Sequence, residues 1–245
     1  MAYTIYASFI FFLISIVFVP VINLLSTNPK WHKAALKVHM AWARTYFKLA
    51  LFKVQIEGNE YLEKNQQYIF CANHFSYIDI AAFYLLHHGK FIGKSSVGKI
   101  PIFGYFFRKM HISVNRASAR SRGDSLRLAK EELLKGFNLS IYPEGGMLVK
   151  EEDLPYMVNF KDGAFKLAIE FQIPIVPVVY PNNFLIIPDR SPIRIHRHDL
   201  IIKVLEPIWP RSAEESETQR LKVDTYEAIQ SELLRYHPDK VKAVD

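Results

Sequence analysis

Cysteine is almost missing from this chain of 245 residues: Cys71 stands alone. That excludes an internal disulfide and any metal cluster built on cysteines, and leaves no sign of an oxidising compartment. Glycine-rich nucleotide loops are missing too. No dinucleotide or triphosphate loop occurs, and Gly93-Lys94-Ser95-Ser96 lacks the upstream glycine of a phosphate loop. There is no internal repeat, no low-complexity tract and no long linker. Acidic residues are outnumbered, 24 against 31 basic ones for a net charge of +7, while half the chain is hydrophobic and 14% is aromatic. Greasy and basic together suit a membrane surface or a phosphate-bearing partner. Nucleic acid would account for the charge but not for the apolar amino terminus, so no nucleic-acid partner is expected.

Charge is wholly lacking from Ile5 to Leu25, a run interrupted only by Ser8, Ser15, Pro20 and Asn23. Its length meets the roughly 20 residues needed to cross a bilayer, although Pro20 and Asn23 are places where it would break. Without a basic leader or an A-x-A-like exit it does not read as a cleaved signal. Lys30, Lys33 and Lys37 follow closely, which puts the remainder on the cytoplasmic side by the positive-inside tendency, at the inner membrane. Residues 31–52 mix Lys33, Lys37, Arg44 and Lys48 with Trp31, Trp42, Tyr46 and Phe47, the texture of a helix lying in the interface. Residues 1–52 are therefore expected to be membrane-anchoring helices, with 5–25 either spanning or forming a hairpin with 31–52. Residues 53–245 are expected to be one catalytic domain.

Beyond Val54 short apolar runs alternate with helical patterns. The spacing predicts strands near 53–57, 68–72, 110–115, 138–142, 174–180 and 200–205, and helices near 79–88, 121–135, 161–171 and 213–236. This is the pattern of an α/β fold with a mostly parallel central sheet flanked by helices, whose ligands sit at the carboxyl ends of strands. Lys150-Glu151-Glu152-Asp153, closed by Pro155, reads as a charged surface loop.

The segment NHFSYID, residues 73–79, follows the apolar run Tyr68 to Ala72. Five residues on a continuous helix separate two side chains by about 140°, so His74 and Asp79 meet only if His74 lies on the turn and Asp79 opens the helix. Ser76-Tyr77-Ile78-Asp79 is an S-x-x-D capping pattern, which favours that arrangement and also offers a second reading, in which Asp79 only caps and His74 only bonds a strand end. Other candidates are weaker. Cys71 reads as a small core residue, His196-Arg197-His198-Asp199 as an exposed turn, and His87-His88 as a helix end whose dipole favours imidazolium. Three further segments deliver polar residues at strand ends: Asn115-Arg116 after 111–114, Pro143-Glu144-Gly145-Gly146 after 138–142, and the run Ile173 to Val178 after the helical stretch from Phe160.

In order and spacing, NHFSYID, the strand ending in Arg116, YPEGG at 142–146 and FKDGAFKLAIEFQIPIVPV at 160–178 resemble the bacterial 1-acyl-sn-glycerol-3-phosphate (lysophosphatidic acid) acyltransferases of the glycerolipid acyltransferase superfamily. The resemblance covers roughly residues 54–210. It implies transfer of a fatty acyl group from acyl-CoA or acyl-acyl carrier protein to a free hydroxyl of a glycerophosphate lipid, with no metal and no bound cofactor. Carried onto these positions, it implies His74 as general base and Asp79 as the residue that orients it. It also implies a substrate site of Asn73, Arg116, Glu144, Gly145, Gly146 and Lys161, with Arg116 on phosphate. An imidazole suits the role, since an alcohol is a poor nucleophile near neutral pH and a carboxylate on the second ring nitrogen fixes the tautomer.

Two positions depart from the family pattern. P-E-G commonly continues Thr-Arg, where this chain has Gly146-Met147, and a glycine commonly stands where this chain has Met110. The first removes a hydroxyl and a cation from the acceptor site, for which Arg120, Arg122 or Lys161 would have to compensate. Acceptors such as glycerol-3-phosphate or a lyso-aminolipid therefore stay open beside lysophosphatidate, as do a hydrolase using water and a non-catalytic lipid-binding protein.

Overall fold

Strand β2, Ile69–Ala72, has all four residues buried, and the rest of the sheet is built outward from it. The structure is a computed structural model that describes residues 1–87, 89–99 and 103–240. Seven strands form one sheet: β1 (Val54–Glu57), β2, β3 (Gly89–Lys94), β4 (Ile112–Val114), β5 (Asn138–Ile141), β6 (Ile175–Val179) and β7 (Leu200–Val204). Their order across the sheet is β1-β7-β6-β2-β5-β3-β4. Every pairing is parallel except β6 with β7, which run antiparallel. In register, Ile69 lies between Leu139 of β5 and Ile175 of β6. A strand with parallel neighbours on both sides and helices on both faces has no solvated face, which is why β2 reads as an unbroken apolar run.

The two-residue period of the pleat sorts β2 between two cores. Ile69 and Cys71 face α5 (Ala119–Leu134), α6 (Gly163–Phe171) and α8 (Glu215–Tyr236). Phe70 and Ala72 face α1 (Ala2–Ser26), α2 (His32–Leu49) and α3 (Ile78–Leu86). Two shorter helices, α4 (Phe103–Met110) and α7 (Asn183–Ile186), complete the set. The expected helices and strands are all present, with ends shifted by a few residues. β3, α4 and α7 were not foreseen: Gly89-Lys90-Phe91-Ile92-Gly93-Lys94 alternates charge and glycine with only two large apolar residues.

The expected boundary at residue 52 does not divide two cores. Leu36, Trp42, Tyr46 and Phe47 of α2 share one buried cluster with Phe70, Val176, Val178 and Ile202 of the sheet, so α2 is one of the sheet's covering helices. Helix α1 runs unbroken through Pro20. At its start Tyr3 and Tyr6 donate hydrogen bonds to the carbonyls of Ala50 and Leu49. Midway, the Trp42 indole donates to the Ser15 hydroxyl, and at its end Ile22 packs against Phe106 and Phe107 of α4. Both ends of α1 are thus held against the rest of the fold.

Two polar side chains also turn inward. His87 ends α3, as expected, and is buried against the Phe70 ring, with centroids 3.7 Å apart; His88 lies outside the described residues. Lys90, only 3% exposed, forms an ion pair with Glu132 at 2.5 Å, bonds His32 Nδ1 at 3.1 Å and lies over the Phe137 ring. Burial lowers the Lys90 pKa against the pull of Glu132. Removing one partner of such a pair strands a desolvated charge. Glu132→Ala is therefore expected to cost about 3–5 kcal/mol in detergent-solubilised denaturant unfolding. Adding Lys90→Met to it should recover most of that loss; equal midpoints for the single and double variants would show that the stranded charge is not the cause.

Candidate active site

The candidate cleft opens where β2 ends. Asn73 to Tyr77 form a turn without regular structure, and α3 begins at Ile78. Across this turn the His74 Nδ1 and Asp79 Oδ2 are 2.9 Å apart. Asp79 is fully buried, and its Oδ2 also accepts from the backbone N–H groups of Phe75 and Ser76, each at 3.0 Å. Its Oδ1 accepts from the Asn183 amide at 2.7 Å. The carboxylate therefore closes the helix start, reaching back to Ser76 N–H as the acid of a capping box does, and holds the imidazole as well. Ser76 does not return the bond in full: its hydroxyl donates to the Ile187 carbonyl at 2.8 Å.

With Nδ1–H committed to a carboxylate, the lone pair of His74 lies on Nε2. The ring stacks on Tyr142, with centroids 4.0 Å apart and planes at 18°, so its tilt is set from the β5 side as well. A cleft of about 440 Å³ opens beside it, walled by Phe75, Met147, Leu154, Phe184, Leu185 and Pro188, with charged residues at its rim. A larger hollow of about 650 Å³ lies between α6 and the start of α8, lined by Lys166, Glu170 and Glu214. It touches none of the paired groups, so chemistry is assigned to the His74 cleft.

The residues expected to line a substrate site divide into two sets. Arg116, Gly145, Gly146 and Lys161 come together, on the Glu144 loop beside the cleft but not among the residues that line it. Gly145 and Gly146 have φ values of 88° and 150°, and a Cβ on Gly146 would stand 2.9 Å from Arg116 Nη1. The guanidinium lies directly over a backbone without a side chain. The Lys161 stem lies alongside Gly145, its own N–H donating to the Pro143 carbonyl at 2.8 Å. Arg116 is half-buried, and burial lowers its pKa. Arg122 Nη1 donates to the Arg116 carbonyl at 2.7 Å, so Arg122 braces the loop from α5 instead of adding a cation to the rim.

Asn73 and Glu144 do not line the cleft. Both side chains are turned inward and fully buried. Asn73 donates its amide to the Tyr180 carbonyl and accepts from Tyr180 N–H, at 3.1 and 2.8 Å, which sews the end of β2 to the end of β6. Glu144 accepts His74 N–H on Oε1 at 2.8 Å and Val158 N–H on Oε2 at 3.2 Å. These are positioning roles: buried polar groups at strand ends find partners in neighbouring backbone before they find ligand. The sequence reading missed Asn183, which anchors Asp79 from beyond the end of β6. The strand-end rule that singled out Arg116 and Glu144 was the signal available for it.

The remaining candidates fall out. Cys71 is fully buried and burial raises its thiol pKa, as a core residue. Asp199 accepts from Lys53 and Gln55, each at 2.7 Å. No cluster of three or more His, Cys, Asp or Glu side chains able to hold a metal ion occurs among the described residues. Met110 is buried in the core at the end of α4, away from the cleft.

Comparison with known proteins agrees with this geometry. A family profile described as Acyltransferase matches residues 53–181. A 1-acyl-sn-glycerol-3-phosphate acyltransferase of Chlamydomonas reinhardtii is 30% identical over 162 residues, 65% of this chain and 48% of the relative. One from Saccharomyces cerevisiae is 33% identical over 186 residues, 70% of this chain and 59% of the relative. The chain spans about half the length of the curated relatives it matches first. Among solved structures, the 1-acyl-sn-glycerophosphate (LPA) acyltransferase PlsC of Thermotoga maritima superposes with a TM-score of 0.76. At 22% identity the match covers 99% of this chain and 98% of that one, and it shows the shared fold.

Burial pushes the Glu144 carboxyl up to about 8, against the pull of the His74 and Val158 amides. A folded-state pKa above the unfolded one means that ionising the carboxyl costs stability, so the cost appears as pH rises through the ordinary carboxylate range and on towards 8. Compared with Glu144→Gln, which cannot ionise, the natural chain is expected to lose thermal stability between pH 5 and pH 8. Parallel midpoints for the two proteins across that range would contradict a raised Glu144 pKa.

Proposed function

The chain belongs to the acyltransferase family, and on that premise we propose that it transfers a fatty acyl group from acyl-CoA or acyl-acyl carrier protein to the free hydroxyl of 1-acyl-glycerol-3-phosphate, forming phosphatidic acid. The observation that carries this reading is the His74–Asp79 contact at 2.9 Å at the mouth of an apolar cleft. Its support from outside is that several relatives bear the name 1-acyl-sn-glycerol-3-phosphate acyltransferase.

In this mechanism the acceptor hydroxyl approaches His74 Nε2, which takes its proton as the oxygen attacks the thioester carbonyl. The imidazolium so formed is stabilised by Asp79, whose two oxygens are held in place by four donors. The tetrahedral intermediate collapses with loss of the thiolate, which recovers the proton from His74. The thioester is already activated, so neither a covalent acyl-enzyme nor a cofactor is required. Arg116 offers a forked donor to the acceptor phosphate across the open backbone of Gly146, with Lys161 as a second cation on the same rim.

Membrane association follows from α1, the one described helix long and apolar enough to cross a bilayer. With Lys30, Lys33 and Lys37 at its far end, the reading is an enzyme of the inner membrane with its cleft on the cytoplasmic side. One observation favours a second reading. Met147, an apolar side chain, lines the cleft where the family pattern carries arginine, so a less highly charged acceptor, such as a lyso-aminolipid, is the alternative.

A panel of lysophosphatidate, glycerol-3-phosphate and lyso-aminolipid acceptors with one labelled acyl-CoA tests these readings. Acylated lysophosphatidate as the main product supports the proposal, another acylated acceptor supports the alternative, and free fatty acid alone means hydrolysis. In the preferred reaction His74→Ala should lower kcat by about 10²–10⁴-fold. Arg116→Ala should raise KM for the phosphate-bearing acceptor by roughly tenfold or more, since a charge-assisted hydrogen bond is worth about 1.5–3 kcal/mol. Near-normal turnover by His74→Ala would overturn the mechanism.

A further inference from the structure

The loop from Ile187 to Asp199 carries more positive charge than the reaction uses. Arg190, Arg194 and Arg197 fall within eight positions, with His196 and His198 among them. Its two aspartates are engaged elsewhere: Asp189 bonds the Tyr77 hydroxyl and Asp199 pairs with Lys53. Arg190 pairs with Glu151 at 3.5 Å. Arg194 and Arg197 are exposed and form no ion pair among the described residues. Beside them Ile193 is 60% exposed.

What this loop touches decides its meaning. Thr4, in the first turn of α1, donates its hydroxyl to the Ile195 carbonyl at 3.2 Å and accepts from Ile195 N–H at 3.1 Å. The loop is therefore fastened to the start of α1. From there Ile5, Phe9, Phe12, Leu13, Ile16, Val17, Val21 and Leu24, recurring mostly every three or four residues, leave an apolar stripe facing outward for about 29 Å. At the other end of the stripe Lys30, Lys33 and Lys37 are exposed, beside a half-exposed Trp31. An apolar stripe with basic groups at both ends, both ends held on one body, fits the boundary between acyl chains and headgroups.

We infer that the Arg190–Arg197 loop is a docking element for anionic lipid, in which Arg194 and Arg197 contact lipid phosphates and Ile193 enters the headgroup layer. An acidic soluble protein would satisfy the two arginines but leave Ile193 and the adjoining stripe in water. A lipid surface covers all of them. Because the same loop lends Arg190, His196 and His198 to the rim of the His74 cleft, lipid contact places the cleft mouth at the membrane face from which a lipid acceptor arrives. That consequence rests on the acyltransferase reading; the lipid contact itself does not.

The test uses the chain's scarcity of cysteine. Cys71 is fully buried, so Ile193→Cys provides one accessible thiol for an environment-sensitive fluorophore. In full-length protein reconstituted into vesicles containing phosphatidylglycerol, the label is expected to shift to the blue and be quenched by brominated lipid, and in pure phosphatidylcholine to remain wet. Arg194→Gln with Arg197→Gln should reduce the inserted population roughly 30-fold, or about 2 kcal/mol at about 1 kcal/mol per basic residue. Turnover of a water-soluble short-chain acceptor should be unchanged in that double variant. Identical emission in the two lipid mixtures, or a blue shift only on adding an acidic acyl carrier protein, overturns the inference. Absence of turnover in the parent protein would count against the proposed reaction while leaving the label's result intact.

Discussion

A fully buried carboxylate, Asp79, is the constraint on which the site depends. Taking Asp79 out of water costs several kcal/mol unless its oxygens are fully bonded. Four donors meet that need: the His74 ring, two backbone N–H groups of the turn, and the Asn183 amide. They come from two places in the chain, namely the turn that follows β2 and the segment after β6. Any motion that separates these strand ends strands the charge, so the cost of desolvation holds the geometry together. Capping and catalysis are therefore one arrangement at this residue.

Around that carboxylate the strand ends are joined by two further buried polar side chains. Asn73 ties β2 to β6 through both atoms of the Tyr180 backbone, and Glu144 ties β5 to the His74 amide and to Val158. Neither is available to ligand, yet each fixes a residue or loop that is. His74 is held by Asp79 on its ring, by Glu144 on its backbone and by Tyr142 on its face. Restraint from three directions fixes the orientation of the imidazole and keeps it from rotating into solvent.

Much of this was legible in the sequence, and the reasons for the rest are specific. β2 and β6 were readable because strands buried on both faces must be continuously apolar, and the polar residues after them marked the cleft. The meeting of His74 with Asp79 followed from helix geometry and the S-x-x-D pattern. The inward turn of Asn73 and Glu144 was not readable, because a polar residue at a strand end has the same sequence signature whether it serves backbone or ligand. β3 was hidden because Lys90 points into the interior, where Glu132 and His32 receive it. No local pattern announces a partner more than 40 positions away. Asn183 fell under the strand-end rule, but nothing local pointed to its partner Asp79, 104 positions away.

The amino-terminal hairpin was legible as apolar but not as part of the fold, and the difference bears on function. A membrane anchor on a flexible tether would let the catalytic domain tumble relative to the bilayer. Here Trp42, Tyr46 and Phe47 of α2 lie in the same buried cluster as Phe70, the residue of β2 three positions before Asn73. Close-packed interiors transmit position with little slack. The position of His74 relative to α1 is therefore set by side-chain packing between α1, α2 and the sheet. In the proposed reaction, with the acceptor's acyl chain in the membrane and its hydroxyl at Nε2, that rigid coupling would supply part of the alignment that a soluble enzyme would have to obtain from binding contacts alone.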